Sequence, residues 1–218
     1  MAVPVGNGTV GAAALGARSR RRTLPEMPGS EANPRDDASD PEALIARMRA
    51  AEARLAAHAA AGRPGLTHAD ETTGERWEAG QVFAHLAEFP GFWVGQVRAL
   101  LAARVAGEPE PIPFGRTKAD PGRLAAIEAR RRDDPLALLR DVDAGIAAAG
   151  HLCRSLTPED WQTCGLHPTL GALTVAEIVS RFLADHLEEH AAQLDELASG
   201  AADSVSGSRR SASDSSGA

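Results

Sequence analysis

TVAEIVSRFLADHLEEHAAQL, residues 174–194, decides how the chain is read, because its apolar stripe contains two histidines one helical turn apart. Thr174 followed three residues later by Glu177 has the capping-box form, in which the threonine side chain accepts from a first-turn N–H and the glutamate reaches back to the cap. A helix is therefore predicted to start there. Val175, Ile178, Val179, Phe182, Leu183, Leu187 and Leu194 recur at helical spacing, while Glu177, Asp185, Glu188 and Asp195 lie mostly off that stripe. Extending the row from Ile178 to Phe182 in steps of four lands on His186, His190 and then Leu194, which turns both imidazoles toward a bundle interior. A buried imidazole needs a hydrogen-bond partner or a metal, and two at i and i+4 can converge on one ion from a single helix face. The plainer alternative is that both rings sit at the stripe's edge and bond to water or to acidic neighbours. H-x-x-x-H alone is a weak motif, so the rest of the chain decides.

The 218 residues suffice for one domain of common size with flanks. The 43% hydrophobic content is inflated by alanine, which favours helix and supplies little apolar area. No tyrosine, five phenylalanines and few β-branched runs leave strands poorly supported, and the expectation is an all-α domain. A net charge of −7 argues for solubility and against a nucleic-acid surface, which needs a concentrated basic face. Cys153 and Cys164 lack metal-knuckle or redox C-x-x-C spacing and are expected to be reduced, packed thiols.

Residues 1–40 are rich in Gly, Ala, Pro, Ser and Arg without apolar periodicity, and are expected to form a disordered tail. The cluster Arg18, Arg20, Arg21 and Arg22 follows the weakly apolar start, the wrong order for a secretory signal, and no long apolar segment comes after it. A cytoplasmic protein without membrane contact is the expectation. The basic cluster reads as a solvated charge run rather than a docking site for an acidic partner. Residues 199–218, SGAADSVSGSRRSASDSSGA, form a second Ser/Gly-rich tail.

Residues 41–198 are the expected domain. Asp40 and Pro41 suit N-cap and first-turn positions, and Leu44, Ile45, Met48 and Leu55 give a stripe ending near Gly62. His58, three residues past Leu55, is a weak candidate for a fourth ligand, although at a helix end such a ring is more often solvent-facing or capping. In the second helix Val82, His85, Leu86 and Phe89 recur at three- and four-residue steps, so His85 also sits on a core face. Pro90-Gly91 is expected to kink or interrupt this helix before Phe92, Trp93, Val97, Leu100 and Leu101 resume it. A Pro-rich loop follows, GEPEPIPFGRTKADPGR at 107–123, long for a bundle connection. Its Arg116 is a candidate for binding an anionic substrate group, against the commoner reading of a solvated loop arginine. The third helix comes in two pieces, about 121–132 and 135–156, because Asp134-Pro135 makes an N-cap and first-turn pair. Leu136, Leu139, Val142, Ile146 and Cys153 are predicted to line one face of the second piece, with His151 exposed. Thr157 to Trp161 and His167-Pro168-Thr169-Leu170-Gly171 connect to the final helix. No internal repeat is apparent.

With the segment Trp77 to Leu86 carrying an inward His85, a Pro-rich connection, a His-Pro-x-x-Gly approach and the closing H-x-x-x-H, the chain resembles the DinB-like (YfiT-like) four-helix-bundle superfamily over about residues 41–198. The resemblance implies an up-down-down-up four-helix bundle and a divalent metal, often zinc or nickel, held by three histidines. Carried onto this sequence they are His85, His186 and His190, the same three that the stripes turn inward. Three neutral imidazoles leave coordination positions open, as in a catalytic rather than a structural zinc site, and a metal there can lower the pKa of bound water or thiol. The family includes transferases that use a low-molecular-weight thiol such as mycothiol, bacillithiol or glutathione. It also includes metal-dependent hydrolases and members without known activity.

Three functions follow as expectations. The leading one is a metal-dependent S-transferase or isomerase-like enzyme in which an activated thiol attacks a small-molecule electrophile. The Ala-, Arg- and Gly-heavy composition suggests a high-GC genome and hence mycothiol. No second folded domain is expected after the bundle, unlike in the maleylpyruvate isomerase relatives, so that particular reaction is not assigned. The second is hydrolysis by a metal-activated water with Glu189 or Asp185 as base. His186 to His190 also fits H-x-x-E-H, the inverzincin pattern, but no extended-strand substrate platform accompanies it. The third, of a different class, is a non-catalytic metal- or small-ligand-binding stress protein acting as a homodimer. Catalytic residues beyond the metal site are not assigned by the sequence.

Overall fold

The computed structural model describes residues 40–199 except Arg63, Thr72 and Glu110; the two expected tails lie outside the described residues. Helix α1, Pro41–Ala61, starts where the Asp40 side chain accepts from the N–H groups of Glu42 and Ala43, with Pro41 in the first turn. Its inward row is Leu44, Met48, Ala51 and Leu55, and the next position on that row is His58. Helix α2, Ala79–Val105, opens with reciprocal bonds between Glu78 and Gln81. Val82, Phe83, Ala84, His85 and Leu86 are all buried, which gives this helix the all-round burial of a central element.

The expected interruption at Pro90-Gly91 does not occur. Helix α2 runs through a buried Pro90, and a glycine explains how its ring is accommodated. A Cβ placed on Gly145 of the facing helix would lie 2.7 Å from Pro90 Cβ, so only glycine lets the two helices meet there. That facing helix, α4, is Pro135–Ser155, preceded by the shorter α3, Pro121–Arg130. The two-piece reading of this region holds, with Asp120 and Asp134 as caps and a proline in each first turn. The α4 face differs by one position from the expectation. Leu138, Val142, Ile146, Ala149 and Cys153 are buried while Leu136 is 46% exposed. Stepping back from Ile146 by four reaches Val142 and by four more Leu138, and Leu136 lies two residues, about 200°, further around the helix.

Strands, poorly supported by composition, are present. β1 (Ile112–Pro113) pairs in parallel with β2 (Cys164–His167), and β2 pairs antiparallel with β3 (Gly171–Thr174). A single-turn helix α5, Pro158–Trp161, leads into this hairpin. The strands hold at most four residues and no β-branched alternation, which is why no strand signal shows. Their structural role is to pin the Pro-rich loop, since Phe114 N–H also donates to Leu166 O at 3.1 Å.

The last helix, α6, spans residues 175–199. The predicted capping box is present, with Thr174 accepting from Glu177 N–H and the Glu177 carboxylate accepting from Thr174 N–H. After the α-helical Val175–Val179, residues Ser180–Asp185 are wound as a π-helix, and α-helix resumes at 186. Helices α1, α2, α4 and α6 form a four-helix bundle in which α4 packs on both α1 and α2, and the π segment of α6 contacts the same two helices. No helix among the described residues is long and apolar enough to cross a membrane.

Candidate metal centre

His85 projects from the buried face of α2, and His186 and His190 project from consecutive turns of α6. Their Nε2 atoms converge. His186 Nε2 is 2.9 Å from His85 Nε2 and 3.0 Å from His190 Nε2, and the three rings form one group of candidate ligand atoms. Nitrogens bound to one ion at about 2.0–2.1 Å stand about 3 Å from one another, the spacing found here.

The outer ring nitrogens indicate the tautomers of His85 and His190. Glu88 Oε1 is 3.2 Å from His85 Nδ1, and a carboxylate only accepts, so the proton resides on Nδ1. Gln193 Oε1 accepts from His190 Nδ1 at 2.8 Å. Both Nε2 lone pairs are thereby turned to the common centre, the arrangement in which an outer acceptor orients a metal-binding histidine. Glu189 occupies the corresponding place behind His186, 3.8 Å from Nδ1. Each histidine thus has an acceptor three residues onward on its own helix, an H-x-x-[E/Q] pattern repeated at 85, 186 and 190. The pattern is local and legible in the sequence.

Burial keeps these rings neutral. It pushes His186 and His190 down to about 3, helped at His186 by Arg123 and Lys118 and at His190 by His186. His85 is driven well below the usual imidazole range by burial and then by the other two rings. Neutral imidazoles with convergent lone pairs repel one another weakly and attract a cation, so the donor set fits a divalent transition metal.

Aromatic rings wall the site. Phe89 stacks on His186 at 3.8 Å, and Trp77 lies parallel to His190 at 6.0 Å. Trp77 is held by Thr67, which accepts its N–H at 2.9 Å through Oγ1 and donates its own N–H to Trp77 O. Two clefts reach the centre. The larger, about 460 Å³, is floored by Phe89, Trp93 and Phe182, and the smaller, about 350 Å³, lies on the Trp77 side.

The other singled-out residues lie elsewhere. His58 is neither solvent-facing nor a ligand. It continues the buried row of α1 and its Nε2 meets Asp195 Oδ1 of α6 at 2.6 Å. His151 is exposed as expected. His167 is buried at the end of β2, where its Nε2 donates to Arg116 O at 3.1 Å and so holds the Pro-rich loop rather than joining the three. Arg116 reaches the larger cleft but is paired with Glu88 at 2.5 and 2.7 Å and lies over Phe92. Asp185 pairs with Arg47 at 2.6 Å. Both cysteines are free, and burial raises the Cys153 thiol to about 11, which leaves it inert at neutral pH. Arg123, which sequence reasoning did not single out, is buried and lines both clefts. At the first turn of a short polar helix nothing distinguished it from a solvated arginine.

A family model described as the DinB superfamily matches residues 47–194. Among solved structures, YfiT from Bacillus subtilis, described as "a probable metal-dependent hydrolase with an unusual four-helix bundle topology", is similar at a TM-score of 0.57. The identity is 16%, over 81% of this chain and 94% of that one. The mycothiol-dependent maleylpyruvate isomerase is similar at a TM-score of 0.51 and 15% identity, over 71% of this chain and 60% of its own. A search of curated proteins finds no match. At these identities the structural likeness establishes the bundle fold.

Proposed function

This chain belongs to the DinB superfamily, and from that premise we propose that it is an enzyme in which His85, His186 and His190 hold a divalent cation, zinc or nickel, and that it transfers a low-molecular-weight thiol of the mycothiol type to a small electrophile. The observation that carries the reading is the convergence of three Nε2 atoms whose outer nitrogens are held by Glu88 and Gln193. A divalent cation there supplies Lewis acidity, lowering the pKa of a thiol or water that reaches its open positions.

Thiol transfer is preferred to hydrolysis because of where the carboxylates are. Water, with a pKa far above that of a thiol, benefits from a base on the open face of the centre. Glu189 and Asp185 both line the larger cleft, but Glu189 lies on the Nδ1 side of the His186 ring, Asp185 is engaged by Arg47, and Glu88 by His85 and Arg116. A thiol loses its proton more readily and makes less demand on such a base. Phe89 and Trp93 meanwhile narrow the larger cleft with apolar surface and limit competing water.

The test begins with metal content by mass spectrometry on untagged protein, wild type beside His85→Ala. About one metal per chain is expected, lost in the variant. Candidate electrophiles are then supplied with and without thiol, and consumption of thiol and electrophile in equal amounts supports the transferase. Turnover without thiol would replace it by hydrolysis. No metal after supplementation would leave the three histidines as bundle residues and the protein as a binding module.

A further inference from the structure

Arg123 is the charged group beside the centre whose chemistry is left open. It is 7% exposed, in the first turn of α3. Its guanidinium lies 5.1 Å from the Trp77 ring centroid, and its Nη1 donates to Lys118 O at 2.7 Å. Among the described residues no carboxylate comes within ion-pair distance of it. Glu75, Glu88 and Asp70 act on it only through space, and burial outweighs them, lowering its pKa from the usual arginine value. A buried guanidinium without a counter-charge is costly unless something completes it. Arg116 is matched by Glu88 and Lys118 by Asp70, and Arg181, the other cation of the larger cleft, is exposed to solvent rather than buried.

The edge that remains has a definite shape. With Nη1 occupied, Nε and Nη2 are the parallel pair of donors left, the fork with which Arg47 grips both oxygens of Glu188 at 2.9 and 2.6 Å elsewhere in this molecule. Arg123 lines both clefts together with His85 and His186, and the smaller cleft also reaches His190. The larger cleft adds a planar apolar wall, in which Phe182 stacks on Trp93 at 3.8 Å and 3°. Trp93 Nε1 is buried there without a hydrogen-bond partner.

We propose that Arg123 anchors the carboxylate of a planar organic acid, the electrophilic substrate, whose body lies along Phe89, Trp93 and Phe182 within reach of the three-histidine centre. The substrate role rests on the thiol-transferase reading; the anion site stands on Arg123 itself. A flat carboxylate matches the two-donor edge, and a flat conjugated or aryl body matches the stacked wall.

Calorimetric titration with benzoate, its neutral analogue benzamide and inorganic phosphate tests this on the full chain, both metal-loaded and chelator-treated. Benzoate is expected to bind wild type at least about tenfold more tightly than the other two probes. Arg123→Met is expected to weaken benzoate by roughly tenfold or more with metal content unchanged, and Arg123→Lys, a point charge without the fork, to recover only part of it. Equal benzoate affinity in Arg123→Met would overturn the proposal, as would benzamide or phosphate binding as well as benzoate. If Arg123→Met does not fold, the same reading is made from Arg123→Lys against wild type, where undiminished affinity overturns the fork. Arg123-dependent benzoate binding in a chain that takes up no metal would sustain the anion site while the metal reading fails. Binding that disappears with the metal but survives Arg123→Met would put the carboxylate on the ion and sink the proposal.

Discussion

His186 and His190 are imidazoles that this fold keeps from charging, and that has a stability consequence. Their folded pKa is about 3 against 6.5 for a free ring, with burial the first cause at both. Between those values the unfolded chain binds protons that the folded chain refuses, so acid favours unfolding. The stability of metal-free protein is therefore full above about pH 6.5 and is lost progressively as pH falls toward 3. At pH 5 the loss is up to about 2 kcal/mol for each ring, from roughly 1.4 kcal/mol per pKa unit. Urea denaturation of chelator-treated protein at pH 7.5 and pH 5 checks it. Equal stabilities would mean that these rings are protonated in the folded state and that their lone pairs do not face the centre. Metal-loaded protein should hold its stability further into acid, because protons must then displace the ion first.

At the scale of the element, the π segment Ser180–Asp185 sets the orientation of both α6 histidines. Each i→i+5 ring holds one residue more than the regular turn, so everything after 185 is rotated relative to the capped start at Thr174. Leu183, fully buried, takes the inward place, and Phe182 is left to wall the cleft against Trp93. Deleting Arg181, an exposed residue of that segment, removes that one extra residue and should restore a regular α-helix with His186 and His190 still facing His85. Helical circular dichroism and a metal stoichiometry near one are expected to persist. Stoichiometry well below one would show that the π winding itself, and not only the register it sets, is needed to bring the three histidines together. The sequence conveyed the start of this helix and the inward sense of its histidines, because a capping box and a four-residue row are local patterns. It concealed the π turn, since Ile178, Phe182 and His186 form an acceptable row in an unbroken helix. It concealed Arg123 for a related reason. Its burial is made in part by Trp77, which lies in another segment beyond any local window around residue 123. The hairpin was hidden by brevity, and the close packing of Pro90 against α4 by a glycine 55 residues away at position 145.

For the whole molecule, the centre ties α2 to α6, two of the four bundle helices, at a place otherwise held by packing alone. A ligand that binds only the folded chain stabilises it by mass action, about 2.7 kcal/mol at a hundred times its dissociation constant. For a domain of this size that corresponds to a rise in Tm of roughly 5–10 °C. Zinc or nickel should therefore raise the Tm of chelator-treated wild type by that order and leave His85→Ala where it is. An equal rise in the variant would place the stabilising ion elsewhere.

The separation of the ligands along the chain carries a further consequence, one of timing. His85 and His186 are 101 residues apart, and at about 5–20 residues per second of synthesis the first waits roughly 5–20 s for the second to be made. During that interval an ion meeting His85 finds a single imidazole, too poor a host to retain it. On the proposed metal reading, capture belongs to the end of biogenesis, and the ion would be drawn from what surrounds a nearly finished protein rather than from what surrounds its early nascent chain.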